Sequence, residues 1–469
     1  MYEVPGSRVL VNEDRYLEAR SAVCIQHHRT LAVLNLQYKL FSDPVHGFIS
    51  VPRRLLLDLI QTHEVQRLRR IRQLGVGYLV FPGAEHTRFT HALGAMALMH
   101  DTLTILAEKG TPISQEEHLG ALAAALLHDV GHGPFSHTLE HELIASFHHE
   151  AMSRSLLVAL NEQFGGALDL ALQIFDDTYE RPFFHQLVSS QLDMDRLDYL
   201  RRDSFYTGVV EGRVGVERIL KTMRVDPLDG GPGSRVVIET KGIYAVENFL
   251  IARRLMYWQV YLHKTVLAGD QVLQALFRRA RIHLRNGSTV AVAGMAPALR
   301  YFLAGQINGS MVNEPEVRRH FCNLDDTDVL YSLKQWMQSP DRVLADLARR
   351  FIERDFFRTT FLDEPLSEEQ MATWHDRIVQ WLIASGLSDP QHAQQDASYY
   401  LTLDYSRHSA YERIEDSITV IDRDGTVREL SETTDTASIT ALTDFVVKPY
   451  VCYAKEVPLS ERSRSEDRL

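Results

Sequence analysis

Apolar residues recur every three to four positions over most of the chain from residue 38 onward, so the pattern predicts a mostly helical protein. A capping-box pair, Ser114 and Glu117, is placed to begin one helix, and Gly110 is placed to end the helix before it. The predicted helices are 52–74, 88–108, 119–129, 191–203 and 246–279, with helical character again over 285–387.

Alternating apolar positions and turn residues predict a smaller β component. A turn-rich stretch, 225–234, leads into the apolar run 235–240 and predicts a β-hairpin inserted between helices. Strands are also predicted at 397–403, 417–422 and 426–430, the last two around an Asp424-Gly425 turn. We therefore predict an N-terminal extension 1–36, a helical core 37–284 and an α+β lobe 285–469 with a frayed end at 460–469.

Composition limits the protein classes that fit this pattern. The 469 residues suggest two or three lobes, and 45% hydrophobic with 24% charged residues is typical of globular proteins. No apolar run reaches about 18 residues, which argues against a membrane span, and the start lacks the layout of a secretory signal. Three widely spaced cysteines exclude a disulfide framework and favour a reducing cytoplasm.

The net charge of −12 argues against broad nucleic-acid affinity, because neutralising a phosphate backbone requires a basic surface. A small anionic ligand held by a few buried arginines remains compatible with an acidic protein, since local charge decides such binding. The composition therefore leaves enzymes of small phosphorylated substrates open.

The chemistry of the chain concentrates around the dipeptide His128-Asp129 at the end of an apolar helix. His91 lies upstream in an Arg-Phe-Thr-His run, and Asp195 lies downstream. Two imidazoles and two carboxylates suit a divalent metal, with iron, manganese, zinc and magnesium left open. A lone His-Asp pair would more simply be a core histidine and a helix-end carboxylate, but four such residues favour a metal site.

Further histidines and one carboxylate follow the dipeptide: His132, His137, Glu140 and His149. Residues 137 and 140 share a helix face, where a carboxylate can hold an imidazole protonated for donation to a leaving oxygen. The alternative is a solvated polar face.

On the helix 191–203, one stripe combines residues suited to a nucleotide: Asp195, Tyr199, Arg202 and Asp203. The stripe spans roughly 12 Å, about the reach from an α-phosphate across a sugar, and Arg196 is placed to meet phosphate oxygens. Arg253 and Lys264, with nearby tyrosines, suit a polyphosphate clamp. Salt-bridged or solvated surface helices are the simpler alternatives for these two stretches.

These motifs resemble the HD-domain phosphohydrolases, in particular their deoxynucleoside triphosphate (dNTP) triphosphohydrolase branch, whose vertebrate member carries an added SAM domain. The matching run covers roughly half of the chain, and we expect no SAM domain before it. The matching segments are 43–47, 66–69, 73–75, 80–83, 88–91, 128–137, 192–203 and 261–264.

The resemblance implies a mostly α fold, an HD-domain helical core with a small β-hairpin insertion and an α+β C-terminal lobe. It implies the metal ligands His91, His128, Asp129 and Asp195. It implies the catalytic cluster His132, His137, Glu140 and His149, with Glu140 where the vertebrate member has aspartate. It implies phosphate contacts from Arg88, Arg196, Arg253 and Lys264, with lysine the vertebrate residue at 196.

The resemblance also implies how the sugar and an effector would be read. The residues implied to bind the 3′-hydroxyl are Gln73, Tyr199 and Asp203, and those implied to exclude a 2′-hydroxyl are Leu74 and Tyr261. A nucleotide effector site is implied by Lys39, Gln66, Arg69 and Arg218. Gln61 replaces the aspartate that reads guanine in activated relatives, so base preference or the need for an activator is open.

The expected activity is therefore metal-dependent conversion of a dNTP and water to deoxynucleoside and triphosphate, in a homo-oligomer such as a dimer or tetramer. A nucleotidase or phosphodiesterase acting on another phosphoester would use the same ligands. A nucleotide-sensing or nucleic-acid-binding regulator with a degenerate site is the third reading. It is opposed by the complete ligand set and by the acidic net charge.

Overall fold

The computed structural model describes residues 38–52, 54–289, 292–408, 411, 417–433 and 446–457. The predicted N-terminal extension, 1–36, and the predicted frayed end, 460–469, lie outside these residues. Within the described part the protein is mostly helical with small sheets, which confirms the predicted fold class. No helix in that part is long and apolar enough to cross a membrane.

Local sequence signals place several helices of the first 285 residues. One helix, Arg88–Glu108, has the predicted bounds and is followed by Gly110 with φ of +103°. Ser114 and Glu117 form the predicted capping box of the next helix. The α-helices described up to residue 285 are α1 Leu55–Ile60, α2 His63–Gln66, α3 Arg88–Glu108, α4 Gln115–Leu127, α5 Ser136–Leu143, α6 His149–Gln163, α7 Asp169–Phe175, α8 Phe183–Val188, α9 Met194–Thr207, α10 Val216–Thr222, α11 Ile243–Met256 and α12 Lys264–Arg285.

Two predicted helices are interrupted. The prediction of one helix over 52–74 is wrong, because Thr62 Oγ1 and Gln66 Nε2 donate to the last carbonyls of α1 and a 3₁₀ turn, Arg67–Arg70, follows α2. The predicted helix 246–279 is divided between α11 and α12 by a π-helical turn, Tyr257–Tyr261. That turn brings its tyrosines to the site described below.

The chain begins its described part with an antiparallel hairpin where helical structure was predicted, so that expectation is wrong. The strands are β1, Tyr38–Asp43, and β2, Gly47–Pro52. The Asp43 carboxylate accepts from the amides of Val45 and His46, both at 2.9 Å, and Gly47 has φ of +77°. This Asx-type turn outweighs the helical pattern at residues 43–47.

The predicted hairpin insertion is present as β3, Met223–Asp226, and β4, Arg235–Glu239. It is part of a larger sheet, because β4 pairs in parallel with β7, Thr419–Ile421, which pairs with β8, Val427–Glu429. The strand predicted at 397–403 begins later in the chain, as β6, Leu401–His408. It pairs antiparallel with β9, Val446–Tyr453. Segments distant in sequence thus share one sheet.

The elements Pro297–Ala304, Arg342–Ile352 and Arg358–Phe361 pack directly on α12, and the buried apolar core runs without interruption from β2 to β9. Elements from both sides of residue 285 therefore support one another. The remaining elements are α13 Pro297–Ala304, α14 Pro315–Cys322, α15 Asp326–Trp336, α16 Arg342–Ile352, β5 Arg358–Phe361, α17 Glu368–Ala384, α18 Ala393–Asp396 and α19 Leu430–Thr433.

Candidate functional site

Four side chains from α3, α9 and the turn that follows α4 lie close together, and we call them the metal cluster: His91, His128, Asp129 and Asp195. His91 Nε2 lies 3.0 Å from Asp195 Oδ1 and 3.6 Å from Asp129 Oδ2. His128 Nε2 lies 3.5 Å from Asp195 Oδ1 and 3.6 Å from Asp129 Oδ1. The four ligand atoms lie within 4.8 Å of one another, a spacing that suits one shared cation.

The hydrogen bonding of both imidazoles fits a metal. Each Nδ1 donates away from the cluster, His91 to Asp198 Oδ2 at 2.8 Å and His128 to the Ala125 carbonyl at 2.7 Å. Each Nε2 is buried and makes no hydrogen bond within the described residues. Two imidazole nitrogens without a hydrogen bond therefore face two carboxylates, an arrangement that a divalent cation satisfies when it displaces their protons.

Asp198 is the residue behind the cluster that sequence reasoning missed, although it lies in the matched segment 192–203. Its buried carboxylate orients His91 and accepts from His46 at 2.5 Å and from Arg202 at 2.9 and 3.0 Å. Arg202 also donates to Asp43 at 2.8 Å, so it lies in the core rather than on the predicted substrate stripe. Against the effect of burial, Arg202 and the two histidines lower the pKa of Asp198 well below its ordinary value.

Protons and a cation compete for the cluster nitrogens. Burial opposes protonation of His91, but Asp195 and Asp198 raise its pKa to about 10. Burial likewise opposes protonation of His128, but Asp129 and Asp195 raise its pKa to about 9. A cation that binds these nitrogens at neutral pH must displace protons.

Arg88 connects the metal cluster to the loop that follows α4. Its guanidinium donates to Asp129 Oδ2 at 2.6 Å and to Ser136 Oγ at 2.9 Å. The fully buried Arg67 donates to the carbonyls of Val130 and His132 at 3.0 and 2.7 Å. The loop is therefore fixed by two arginines.

The end of this loop is held in a conformation that L residues rarely adopt. Phe135 has φ of +49° and Ser136 φ of +29°, directly before and at the start of α5. Asp326 of α15 accepts from the Phe135 amide at 3.1 Å and thereby holds the turn from the C-terminal side. Such strain near an active centre is maintained only when neighbouring contacts over-determine it.

Beside the metal cluster lies the histidine–carboxylate cluster, His132, His137, Glu140 and His149. Glu140 accepts from the amide and Nδ1 of His149 at 2.9 and 3.2 Å, and His137 Nδ1 lies 3.4 Å from its other oxygen. The rings of His132 and His149 stack with centroids 3.8 Å apart. Their ligand atoms also lie close enough to those of neighbouring groups to hold a cation, in the sets Asp129, His132, His149 and His137, Glu140, His149.

The pKa values of the two stacked imidazoles, His132 and His149, are shifted in opposite directions. Burial and the nearby Arg88 lower the pKa of His132 well below its ordinary value. Burial also acts on His149, but its hydrogen bond to Glu140 and the carboxylates nearby raise its pKa. Against burial, the hydrogen bonds from His137 and His149 lower the pKa of Glu140, so this carboxylate favours a proton on His149.

A cavity of about 340 Å³ opens beside both clusters, and we call it the main cavity. It is lined by predicted substrate residues together with Phe135, Thr138, Val266 and Asp270, which sequence reasoning did not single out. The predicted residues at its wall are Gln73, Leu74, Arg88, His137, Tyr199, Asp203 and Tyr261.

Polar atoms for a hydroxyl meet at one side of the main cavity. Asp203 accepts from Tyr261 Oη at 2.8 Å and from His86 Nε2 at 2.7 Å. Gln73 Oε1 is buried and accepts no hydrogen bond from the described residues. Burial and the Asp203 carboxylate raise the pKa of Tyr261 well above its ordinary value, so its hydroxyl remains a donor.

Comparison with known proteins agrees with this geometry. The model of the "HD associated region" family matches residues 214–295. The chain is 35% identical to uncharacterized protein YwfO of Bacillus subtilis over 410 residues, 84% of this chain and 87% of that protein. The chain is 43% identical in sequence to a phosphohydrolase from Bacteroides thetaiotaomicron whose crystal structure is known. The two structures match with a TM-score of 0.83, and the match covers 89% of this chain and 100% of the other.

The chain belongs to the HD-domain phosphohydrolase family. It is also 28% identical over 305 residues to the deoxynucleoside triphosphate triphosphohydrolase SAMHD1 of Danio rerio, a match that covers 56% of this chain. The match spans about half of that vertebrate relative, 48% of its length. Members of the family hold a divalent metal, and the metal cluster of this HD phosphohydrolase supplies residues that could bind one.

Three predicted phosphate contacts of this HD phosphohydrolase lie outside the lining of the main cavity. Arg196 approaches Asp193 at 3.5 Å, and Lys264 is exposed at the first position of α12. Arg253 lies with its guanidinium 6.0 Å from the centre of the Tyr257 ring. Arg88 is thus the predicted phosphate contact that reaches the cavity wall.

A second cavity, of about 370 Å³, brings together four of the predicted effector residues of this HD phosphohydrolase. Arg69 Nε donates to Gln66 Oε1 at 3.0 Å, and its guanidinium lies 3.6 Å from the centre of the Phe89 ring. Arg218 does not line this cavity and donates to the Lys241 carbonyl at 2.9 Å. The predicted effector residues at this cavity are Lys39, Gln61, Gln66 and Arg69.

Proposed function

We propose that this HD phosphohydrolase is a dNTP triphosphohydrolase, which converts a dNTP and water to deoxynucleoside and triphosphate. One observation carries the proposal: the main cavity is lined by Arg88, which is bonded to a metal-cluster residue, and by the hydroxyl-reading Gln73, Asp203 and Tyr261. A ligand there would need both a phosphate and a sugar hydroxyl. The vertebrate relatives are deoxynucleoside triphosphate triphosphohydrolases, which supports this substrate class.

His91, His128, Asp129 and Asp195 would hold the divalent metal. When bound, such a metal polarises a phosphate and lowers the pKa of its water from 15.7 to about 7. The donor set suits iron, manganese or zinc, and magnesium is the fourth candidate. Arg88 binds an oxygen of the α-phosphate and offsets its charge.

The histidine–carboxylate cluster supplies the proton for the leaving group. The water oxygen bonds to the α-phosphorus, the bond from phosphorus to the 5′-oxygen breaks, and that oxygen takes a proton from the cluster. The water releases a proton, which replaces the one that the cluster donates. His137 lines the main cavity and is the member placed to donate it, with Glu140 behind it. His132 and His149 hold this arrangement by stacking and by the hydrogen bond to Glu140.

Sugar selection follows from the opposite wall. Gln73, Tyr199 and Asp203 bind the 3′-hydroxyl, and the orphaned Gln73 Oε1 is free to accept it. Leu74 and Tyr261 occupy the space of a 2′-hydroxyl, so a ribonucleotide would meet a clash.

The second cavity is the proposed nucleotide effector site. Because Arg218 lies apart from the other four residues within one chain, we propose that assembly into a dimer or tetramer completes the site. A cytoplasmic location, where dNTPs are made, accords with the buried unpaired cysteines Cys322 and Cys452.

Product analysis by anion-exchange chromatography tests the proposal. Protein loaded with Mn²⁺ or Fe²⁺ is incubated with the four dNTPs, singly and mixed. Deoxynucleoside plus triphosphate is the expected result, and activity confined to the mixture would indicate an effector. Phosphate or a linear dinucleotide product from other phosphoesters would instead favour a nucleotidase or phosphodiesterase.

A further inference from the structure

The main cavity contains a carboxylate that the proposed reaction does not use. Asp270 lies on α12, one turn after Val266, and both side chains line the cavity wall. Its Oδ1 accepts from the Thr138 hydroxyl at 2.6 Å. No cationic side chain of the described residues pairs with it, and burial raises its pKa to about 6. A half-buried carboxylate without a cationic partner is costly unless a ligand donates to it.

The other groups at the wall fix which part of a nucleotide would meet Asp270. Phosphates belong beside Arg88 and the metal cluster, and a carboxylate would repel them. Sugar hydroxyls belong beside Gln73 and Asp203. The wall that remains combines Tyr257 and Val266 with the Asp270 carboxylate, which suits a flat base with hydrogen-bond donors on its edge.

We propose, resting on the proposed function, that Asp270 is a specificity-determining residue that accepts a hydrogen bond from the exocyclic amino group of the substrate base. Adenine, cytosine and guanine each carry such an amino group, on C6, C4 and C2 respectively, whereas thymine carries none. Thr138 holds the carboxylate in place through its hydroxyl. The chain therefore prefers dATP, dCTP and dGTP to dTTP.

The test compares wild type with Asp270→Asn, which keeps the shape but replaces one acceptor oxygen with a donor. We expect kcat/KM for dTTP, relative to the three amino-bearing dNTPs, to rise about tenfold. Asp404→Asn is the matched control, because Asp404 accepts from Tyr450 at 2.9 Å and does not line the cavity. The control should leave the base ranking unchanged.

Binding of the four deoxynucleosides, measured by calorimetry, gives a readout that does not need turnover. Amino-bearing nucleosides should bind more tightly than thymidine in wild type and lose that advantage in Asp270→Asn. This pattern in a protein that hydrolyses no dNTP would uphold the inference and overturn the proposed function. Intact hydrolysis with the same base ranking in both proteins would overturn the inference alone, and equal nucleoside binding without hydrolysis would overturn both.

Discussion

The main and second cavities are similar in size but differ in how one chain completes them. In the main cavity, Gln73 Oε1 is buried and has no hydrogen-bond partner among the described residues, and the same holds for the Nε2 atoms of His91 and His128 in the adjoining metal cluster. In the second cavity, Gln66 and Arg69 already bond to each other, and Arg218 lies elsewhere. The first is prepared for ligands by a single chain, whereas the second satisfies its own polar groups.

This difference indicates in which cavity a ligand gains more free energy on binding. Orphaned buried atoms cost free energy that a ligand recovers, so the main cavity is pre-organised. A ligand at the second cavity must first displace internal contacts, which suits a site that depends on assembly. The following predictions test this difference between the two cavities.

The largest effect should come from removing the metal cluster. The double variant His128→Ala/Asp129→Ala should lower dNTP hydrolysis by at least about 10³-fold and abolish metal retention, because two of four ligands are lost. His118→Ala is the control, since His118 lies on the same helix but contacts His100. Hydrolysis that survived in the double variant would refute the assignment.

Metal affinity should fall steeply as the pH is lowered. Since the pKa of His91 is raised to about 10 and that of His128 to about 9, both nitrogens carry protons at neutral pH until a cation displaces them. Lowering the pH should weaken metal binding by up to about tenfold per pH unit for each proton displaced. Calorimetry in buffers of different ionisation enthalpy counts these protons, and binding without proton release would contradict the prediction.

Loss of the Asp198 carboxylate, which orients His91, should have the next largest effect on metal affinity and activity. Asp198→Asn leaves the ligands in place but weakens the hold on His91, so metal affinity or activity should fall about 10–100-fold. Asp101→Asn, on the same helix as His91 but outside its contacts, should leave metal affinity unchanged. Thermal unfolding of both variants separates a metal effect from general destabilisation, and unchanged affinity in a folded Asp198→Asn protein would count against the orienting role.

The smallest effect on single substrates should come from the second cavity. Arg69→Ala should leave hydrolysis of each dNTP alone within about twofold but remove any stimulation in the mixture, which typically amounts to about 5–150-fold in coupled sites. Arg154→Ala, an exposed arginine paired with Asp176, is the control. Loss of the basal rate in Arg69→Ala would show that the two cavities are not separable.

Sequence reasoning was strongest where function lies in short contiguous runs. His128-Asp129 and the segment with His91 were readable as ligand motifs, and the structure brings them together with Asp195. It was weaker where tertiary contacts decide. Asp198 and Arg202 alternate with substrate residues on α9, and only the core contact with Asp43 shows that they face inward.

Local side-chain chemistry explains the other differences. Thr62 interrupts a helix that apolar spacing predicts as continuous, because its hydroxyl donates a hydrogen bond to the Leu59 carbonyl of α1. The turn at Asp43 gives a hairpin where the apolar pattern favours helix. Asp270 carried no motif, and its place in the cavity depends on a contact with Thr138, 132 positions away.

Hydrolysis in H₂¹⁸O with a metal-loaded protein tests the central claim most directly. If water attacks the α-phosphorus and the bond to the 5′-oxygen breaks, one ¹⁸O atom appears in the triphosphate and none in the deoxynucleoside. That is the predicted result for every dNTP that is hydrolysed. Label in the deoxynucleoside, or formation of deoxynucleoside monophosphate with pyrophosphate, would contradict the assignment of this HD phosphohydrolase as a dNTP triphosphohydrolase.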